Sequence, residues 1–551
     1  MTNKKILIAA AWPYANGSLH LGHVAGLLGS DILARYFRLS GNQVLFVSGS
    51  DCHGTPISVE ADRQGIAPEK IAAKYHQEFV ENLIGGLGFS YDLYSKTTSP
   101  FHQKIVQDIF LQLYKRGDIY TKTEDLPYCI NCKRFLPDRY IEGECPVCHF
   151  NPARGDQCDN CGTLLDPKDL IGPKCKICGG TPEWRPSEHF YLKLSRYQDK
   201  LTSWAKKSTG WRANAINFTI NFLEQGLHDR AITRDTDWGI PVPLDGYEGK
   251  RIYVWFEAIC GYLTTSQEWA ANNKKSWQDW WQKKDALHYY VHGKDNIPFH
   301  AIIWPAILLG CGDLHLPDRI ISSEYLTIES KQFSKSRHWA VWLPDFLSSF
   351  DGETIRYYLV ANGPETSDAD FSWSEYQART NKELIGNFGN LIYRVLSFIK
   401  NNFPEGVDFP QKLSAEQAEF LQLAEATFPS TAKALEAAKF REALREVFKL
   451  IEAGNRFLDA AAPWTKIKSD QAQAAADLAV VGQAIKALAI LINPFLPRSS
   501  EKIAAQIGLS NKDLQWQYPK TGKLMLVDPK PLYKHIEDSE VEAQRNKLGK
   551  A

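Results

Sequence analysis

Apolar positions along the first hundred or so residues fall into two kinds of run. Ile6–Ala11 and Gln43–Gly49 are short and do not alternate with polar positions, so both read as strands buried on two faces. Leu19–Leu39, Pro68–Leu87 and Phe101–Lys115 repeat their apolar residues every three or four positions and read as helices. Alternation of the two predicts an α/β layout with a parallel sheet. At the first crossing, Ala9–His23, the strand breaks at Pro13, Asn16-Gly17 makes a tight turn, and Ser18 is placed to cap the next helix. Strand-like runs return at Ile252–Phe256, His288–His292 and Arg319–Ser323, so the cysteine-rich block that begins near residue 119 interrupts one sheet.

Past residue 350 the pattern lengthens. Ser374–Phe403, Ala432–Leu458 and Asp470–Leu491 are helix-length stretches rich in Ala, Leu, Glu and Lys, which predicts a helical bundle. Lys520–Ala551 alternates Pro-containing loops with charged residues and reads as a tail packed on the surface. The expected fold is a Rossmann-type parallel sheet domain with an inserted zinc-knuckle domain, followed by an α-helical bundle.

Composition narrows the function classes. With 64 basic and 64 acidic residues among 551, net charge is zero, and whole-molecule attraction to nucleic acid is excluded; a polyanion must meet a local patch. Apolar runs such as Ala301–Leu309 fall short of a spanning helix, and Ile6–Trp12 is too short for a signal peptide, so no membrane partner and a cytoplasmic location are expected. Eight of the eleven cysteines form four C-x-x-C pairs: Cys129/Cys132, Cys145/Cys148, Cys158/Cys161 and Cys175/Cys178. In a large cytosolic chain such pairs point to metal, since two knuckles supply the four thiolates of a tetrahedral zinc. Cys52, Cys260 and Cys311 stand apart and are expected to be buried thiols.

Two segments suggest phosphate chemistry. "HLGH" sets His20 and His23 on the first turn of a helix, where free N–H groups and the dipole favour an anion, and Gly22 leaves room for a flat purine. "ESKQFSKSRHW" offers a basic Ser-Lys-Ser loop whose Lys335 can reach a triphosphate. Taken singly, these are also ordinary histidines and solvated lysines.

Taken together with "PYANGSLHLGH", "SGSDCHGTPI", "RDTDWGIPVP", "YVWFEAICGY", "HGKDNIPFH" and "APW", in order and spacing, the chain resembles the methionyl-tRNA synthetase family of class I aminoacyl-tRNA synthetases over nearly its whole length. The resemblance implies activation of L-methionine with ATP, accompanied by Mg²⁺, and transfer to the 3′ end of methionine tRNA. It implies that His20, Gly22, His23, Gly293, Asp295, Ser334, Lys335 and Ser336 bind ATP, with His20, His23 and Lys335 acting on the phosphates. Ala11, Trp12, Tyr14, Trp255, Ala258, Tyr262 and His300 would line the methionine pocket, and Asp51 would hold the ammonium. One zinc would sit on Cys145, Cys148, Cys158 and Cys161 and a second on Cys129, Cys132, Cys175 and Cys178; sequential pairing is the alternative. Asn390 and Arg394, four apart on one helix face, would read the anticodon with Trp464.

The implied domains are a Rossmann catalytic half over 1–118, a connective insert over 119–233 and the second half over 234–325. A loop and stem-contact region over 326–385, an anticodon-binding domain over 386–535 and a tail over 536–551 follow, in a monomer. The chain departs from the family at Gln332-Phe333-Ser334-Lys335-Ser336, where Lys-Met-Ser-Lys-Ser is usual, and at His338 for glycine, Trp12 for leucine and Glu257 for aspartate. The altered loop motivates a second reading, a synthetase-like tRNA-binding paralogue with reduced or repurposed activity.

Overall fold

A computed structural model describes residues 3–156, 158, 160–161, 163, 165–334 and 338–550, without the side chains of Asp138 and Asn511. Five parallel strands make the central sheet: β1 (Lys5–Ala10), β2 (Gln43–Ser50), β3 (Leu93–Lys96), β4 (Leu287–Gly293) and β5 (Arg319–Ser323). Their order is β5-β4-β1-β2-β3, and Ile6 lies opposite both Val44 and Leu287. Ile6, Ile8 and Ala10 enter the core on one face and Leu7 and Ala9 the core on the other, which is why β1 shows no polar alternation. The chain steps outward from β1 to β3, then returns to lay β4 on the opposite side of β1. The connections leaving β1 and β4 therefore diverge, and the crevice at their carboxyl ends is where sheets of this order take ligands.

Helix α1 (Leu21–Leu39) covers one face and shares a continuous core with the C-terminal helices. Gly29 is required there, because a Cβ would come within 2.5 Å of the Phe440 ring. The contact is locked by a buried ion pair, Asp31 to Arg356 at 2.7 Å, whose guanidinium also donates to the Phe495 and Pro494 carbonyls. Burial alone would raise the Asp31 pKa, but Arg35, Arg356 and Ser90 outweigh it and hold the carboxyl at about 2.

The insert rises on a long antiparallel ladder, Ile119–Cys129 against Glu183–Leu192. Its tip carries the cysteine segment and docks on helix α2 (Thr55–Gln64), where Asp62 accepts from the Tyr140 hydroxyl at 2.9 Å and pairs with Arg134 at 3.4 Å.

The structure corrects several expectations. Helix α1 starts at Leu21 with His20, not Ser18, as its cap. Ile252–Phe256 is not one strand: a strand ends at Ile252, Val254–Glu257 is helical, and α3 (Gly261–Asn273) follows. The aromatic and branched residues there favour strands, but packing decides. In the C-terminal third, α4 (Asn390–Asn402) continues a helical stretch from Trp373, while Ala432–Leu458 divides into α5 (Ala415–Glu436) and α6 (Phe440–Ala461). The break has no glycine or proline; Ala438 takes φ +53, whereas Pro429 sits inside α5. Helix α7 (Gln471–Leu491) is long and apolar enough to cross a membrane by length and composition, yet 83% of its most apolar window is buried inside the fold. The last residues pack Leu524, Leu532, Ile536 and Val541 inward and form α8 (Asp538–Arg545), beyond which Gly549 N–H donates to the His338 carbonyl at 3.1 Å.

Candidate active site

At the carboxyl end of β1 the two histidines cap the helix they begin. Gly22 N–H donates to His20 Nδ1 at 3.2 Å, and His20 N–H donates to His23 Nδ1 at 3.1 Å, so imidazoles satisfy groups a helix start leaves open. Their rings lie 3.8 Å apart. The distant loop returns to the same place. Leu21 N–H donates to the Val341 carbonyl at 3.1 Å, Leu343 N–H to that of Leu19 at 2.7 Å, and the Phe333 ring stacks on His20 at 4.2 Å. Ser334 and Trp339 exchange backbone hydrogen bonds of 3.0 and 2.9 Å. Lys335 and Ser336, expected on the phosphates, lie outside the described residues. A Cβ on Gly22 would meet the His20 ring at 3.0 Å, so the glycine lets that ring fold over the helix start. Gly293 ends β4 and faces open space, with Asp295 in the short turn that follows.

The other half of the crevice is aromatic and closed. The Trp12 indole is wedged between Gly49 and Gly261, where added Cβ atoms would lie 2.7 and 2.6 Å from it. Trp255 stacks flat on Phe299 at 3.9 Å, and Tyr14 meets Trp255 edge-on at 5.7 Å. Because Val254–Glu257 is helical, Trp255, Ala258 and Tyr262 follow at helical spacing. His300 Nδ1 lies 2.8 Å from the Asn296 carbonyl and its Nε2 2.7 Å from the Tyr262 hydroxyl. That pattern makes Nδ1 the donor and Nε2 the acceptor, and burial holds His300 well below its ordinary pKa, hence neutral. Ala11 extends the β1–β4 pairing by donating to the Val291 carbonyl at 3.0 Å.

Beneath Tyr14 lies Asp51, paired through backbone with Pro13 and Ala15 and almost fully buried. Burial and the neighbouring Glu257 raise its pKa well above the carboxylate range. Glu257 is raised by burial too, partly offset by His53, whose Nδ1 is 3.0 Å from it. Two buried carboxylates beside one imidazole favour an incoming cation. Sequence reasoning overlooked His53, Glu257 as its partner, and Phe299; "SGSDCHGTPI", "YVWFEAICGY" and "HGKDNIPFH" contained them, but no local pattern marks their contacts.

The eight knuckle cysteines gather into two sets, Cys129, Cys132, Cys175 and Cys178, and Cys145, Cys148, Cys158 and Cys161, each with its sulfurs within 4.8 Å of one another. The antiparallel ladder folds positions before and after the tip together, which nests the pairs rather than joining them sequentially. Nearest Sγ···Sγ distances run from 3.5 to 3.8 Å. Four thiolates ~2.3 Å from a tetrahedral zinc stand about 3.8 Å apart, whereas a disulfide needs about 2.05 Å, so both sets fit a tetrahedral ion. Hydrogen bonds from Thr163 lower the Cys161 thiol to about 6, and that from the Gly180 backbone, foremost, does the same at Cys178. Both could hold zinc.

In the bundle, the Arg394 guanidinium lies 5.0 Å over the Trp464 ring and 3.5 Å from Asp459. Arg394 and Trp464 border a groove of about 260 Å³ with Phe398, Asn401 and Pro463. Asn390 is exposed one turn before Arg394 and does not line the groove.

A switch-point crevice with a histidine-capped helix after β1, a distant segment that returns to it through Phe333 and Val341, and a cysteine-knuckle insert defines a class I aminoacyl-tRNA synthetase architecture. The family model described as tRNA synthetases class I (M) matches residues 6–396, and the one described as the anticodon binding domain of methionyl tRNA ligase matches 404–550. The chain belongs to the methionyl-tRNA synthetase family. It is 48% identical over 554 residues to a methionine–tRNA ligase of Dehalococcoides mccartyi, covering 99% of this chain and 100% of that one. It is 45% identical to methionine–tRNA ligase 1 of Alkaliphilus oremlandii, over 99% and 100% of the two chains. Among solved structures, the Mycobacterium tuberculosis methionyl-tRNA synthetase in complex with methionyl-adenylate superposes with a TM-score of 0.80 at 25% identity, covering 96% of this chain and 99% of that one.

Proposed function

We propose that this protein is a methionine–tRNA ligase that activates methionine with ATP and passes it to the 3′ end of methionine tRNA. The observation that carries the reading is convergence: "HLGH" and the described flanks of the distant Ser-Lys-Ser segment, Phe333 and Val341, meet beside a buried aromatic pocket at one crevice. An in-line attack by a carboxylate on the α-phosphate needs its partners positioned and its developing charge offset. His20 and His23 meet the phosphates once their capping contacts open, Gly22 and Gly293 admit the nucleotide, and Asp295 takes the ribose. Lys335, flanked by Ser334 and Ser336, supplies the cation for the leaving pyrophosphate, and Mg²⁺ accompanies ATP.

Trp12, Tyr14, Trp255, Ala258 and Tyr262 hold the thioether chain with Ala11 and His300, and Asp51 pairs with the ammonium. Each nested set of four cysteines holds one structural zinc that keeps the shape of the 119–233 insert, which supports the acceptor end. The helical 386–535 region reads the anticodon through Asn390, Arg394 and Trp464, by stacking and contacts to base edges. Residues 1–118 and 234–325 form the catalytic domain, 326–385 joins it to the bundle, and 536–551 forms a tail, in a cytoplasmic monomer whose reduced thiol sets suit that compartment.

Amino-acid-dependent ATP–pyrophosphate exchange tests this. Methionine supports exchange if the reading holds; exchange with another amino acid, or none at all, overturns it, and the latter would favour a repurposed tRNA-binding role. Elemental analysis should find two zinc ions per chain.

A further inference from the structure

Tyr325 stands on the segment joining β5 to the short strand Leu326–Ile328, which leads into the Ser-Lys-Ser loop. Its hydroxyl donates to Asp295 Oδ1, and among the described residues this is the only hydrogen bond that carboxylate makes. Tyr325 is itself held at its ring and at its backbone. The Lys294 ammonium lies 3.9 Å over its ring, anchored by Glu324 at 2.7 Å and Asp368 at 2.9 Å, while Tyr325 N–H donates to Asp368 Oδ1 at 2.9 Å. A ring so fixed cannot swing without giving up a cation–π contact.

An isolated aspartate rotates almost freely about its terminal torsion, so its oxygens have no set direction. A charge-assisted hydrogen bond from a fixed donor removes that freedom and leaves acceptor capacity for a second hydroxyl. We infer that Tyr325 is a positioning residue that aims the Asp295 carboxylate at a ribose hydroxyl of the nucleotide; this rests on the nucleotide reading proposed above. Burial, and then the bond to Asp295, raise the phenol's pKa, so it stays a donor at neutral pH. Tyr325 is 38% exposed, and removing its oxygen opens no cavity.

The test is methionine-dependent ATP–pyrophosphate exchange on the full chain, wild type and Tyr325→Phe, with ATP, 2′-deoxyATP and 3′-deoxyATP. Tyr325→Phe should raise KM for ATP about tenfold, the scale of one hydrogen bond to a charged group, and leave KM for methionine and the thermal midpoint unchanged. Preference for ATP over at least one deoxy analogue should shrink by a similar factor, because that analogue never used the aimed carboxylate. In an Asp295→Ala background, Tyr325→Phe should add nothing. An unchanged KM for ATP, an equal rise for ATP and both analogues, or additive effects in the double variant would overturn the inference. Failure of the wild type to exchange with methionine would instead overturn the functional reading beneath it.

Discussion

The two halves of the crevice are built on opposite plans. The aromatic half is finished before any ligand arrives: Trp255 and Phe299 stack at 3.9 Å, the Tyr262–His300 pair is hydrogen-bonded, and Asp51 is buried beside Glu257. The histidine half is provisional, since its helix start is capped by the groups proposed for the phosphates, and Phe333 rests on His20. A pocket that must tell one apolar side chain from another gains from rigidity, because a methylene is worth only about 1–3 kcal/mol and slack would erase it. A cradle for a triphosphate has many charged contacts to offer and can give some up in rearrangement.

That contrast predicts where substitutions act. The largest effect belongs to Asp51→Asn, which should lower kcat/KM for methionine by about 10³-fold, the scale of a buried ion pair, in exchange assays. The same variant should be more heat-stable near neutral pH. The folded pKa of Asp51 lies above its unfolded value, so the unfolded chain ionises first and stability falls as pH rises through the interval between them; asparagine removes that loss. Thermal unfolding near neutral pH and near pH ~4 should show the gain only at the former. A destabilised Asp51→Asn would contradict the picture of a strained, preformed pocket.

Trp255→Ala comes next, with KM for methionine raised about tenfold through loss of the Phe299 stack and KM for ATP unmoved. Smallest is Phe333→Ala, which should lower KM for ATP about threefold without touching methionine, because it removes one stacked ring from His20. If Phe333→Ala changed methionine binding and Trp255→Ala changed ATP binding, the division into fixed and provisional halves would fail.

A third region shows the cost of joining domains. Asp31 and Arg356 are both fully buried, and removing Asp31 leaves the Arg356 guanidinium buried without its ion-pair partner. Asp31→Asn should therefore cost about 3–5 kcal/mol in urea unfolding.

Much of this was legible in the residues. The non-alternating run Ile6–Ala11 told of a doubly covered strand, the four C-x-x-C pairs told of sets of four thiols that could hold zinc, and six ordered motifs told of the family. What was missed depends on contacts between distant segments. Ser18 has the usual capping chemistry, yet His20 wins because its ring folds back over Gly22. Val254–Glu257 looks like strand and is helix, since Trp255 must face Phe299. Ala438 breaks a helix that Pro429 does not, because α5 and α6 must turn back on each other.

Periodicity and residue chemistry alone thus determined which segments are strand or helix in the main, which atoms could ligate metal, and which family the chain resembles. Tertiary structure alone decided that the cysteines pair nested, that Phe333 covers His20, that His53 answers Glu257 and that Tyr325 holds Asp295. The reason is one of range: hydrophobic period is a property of neighbours in sequence, whereas a hydrogen bond or a stack between residues far apart exists only once strand order has brought their chains together.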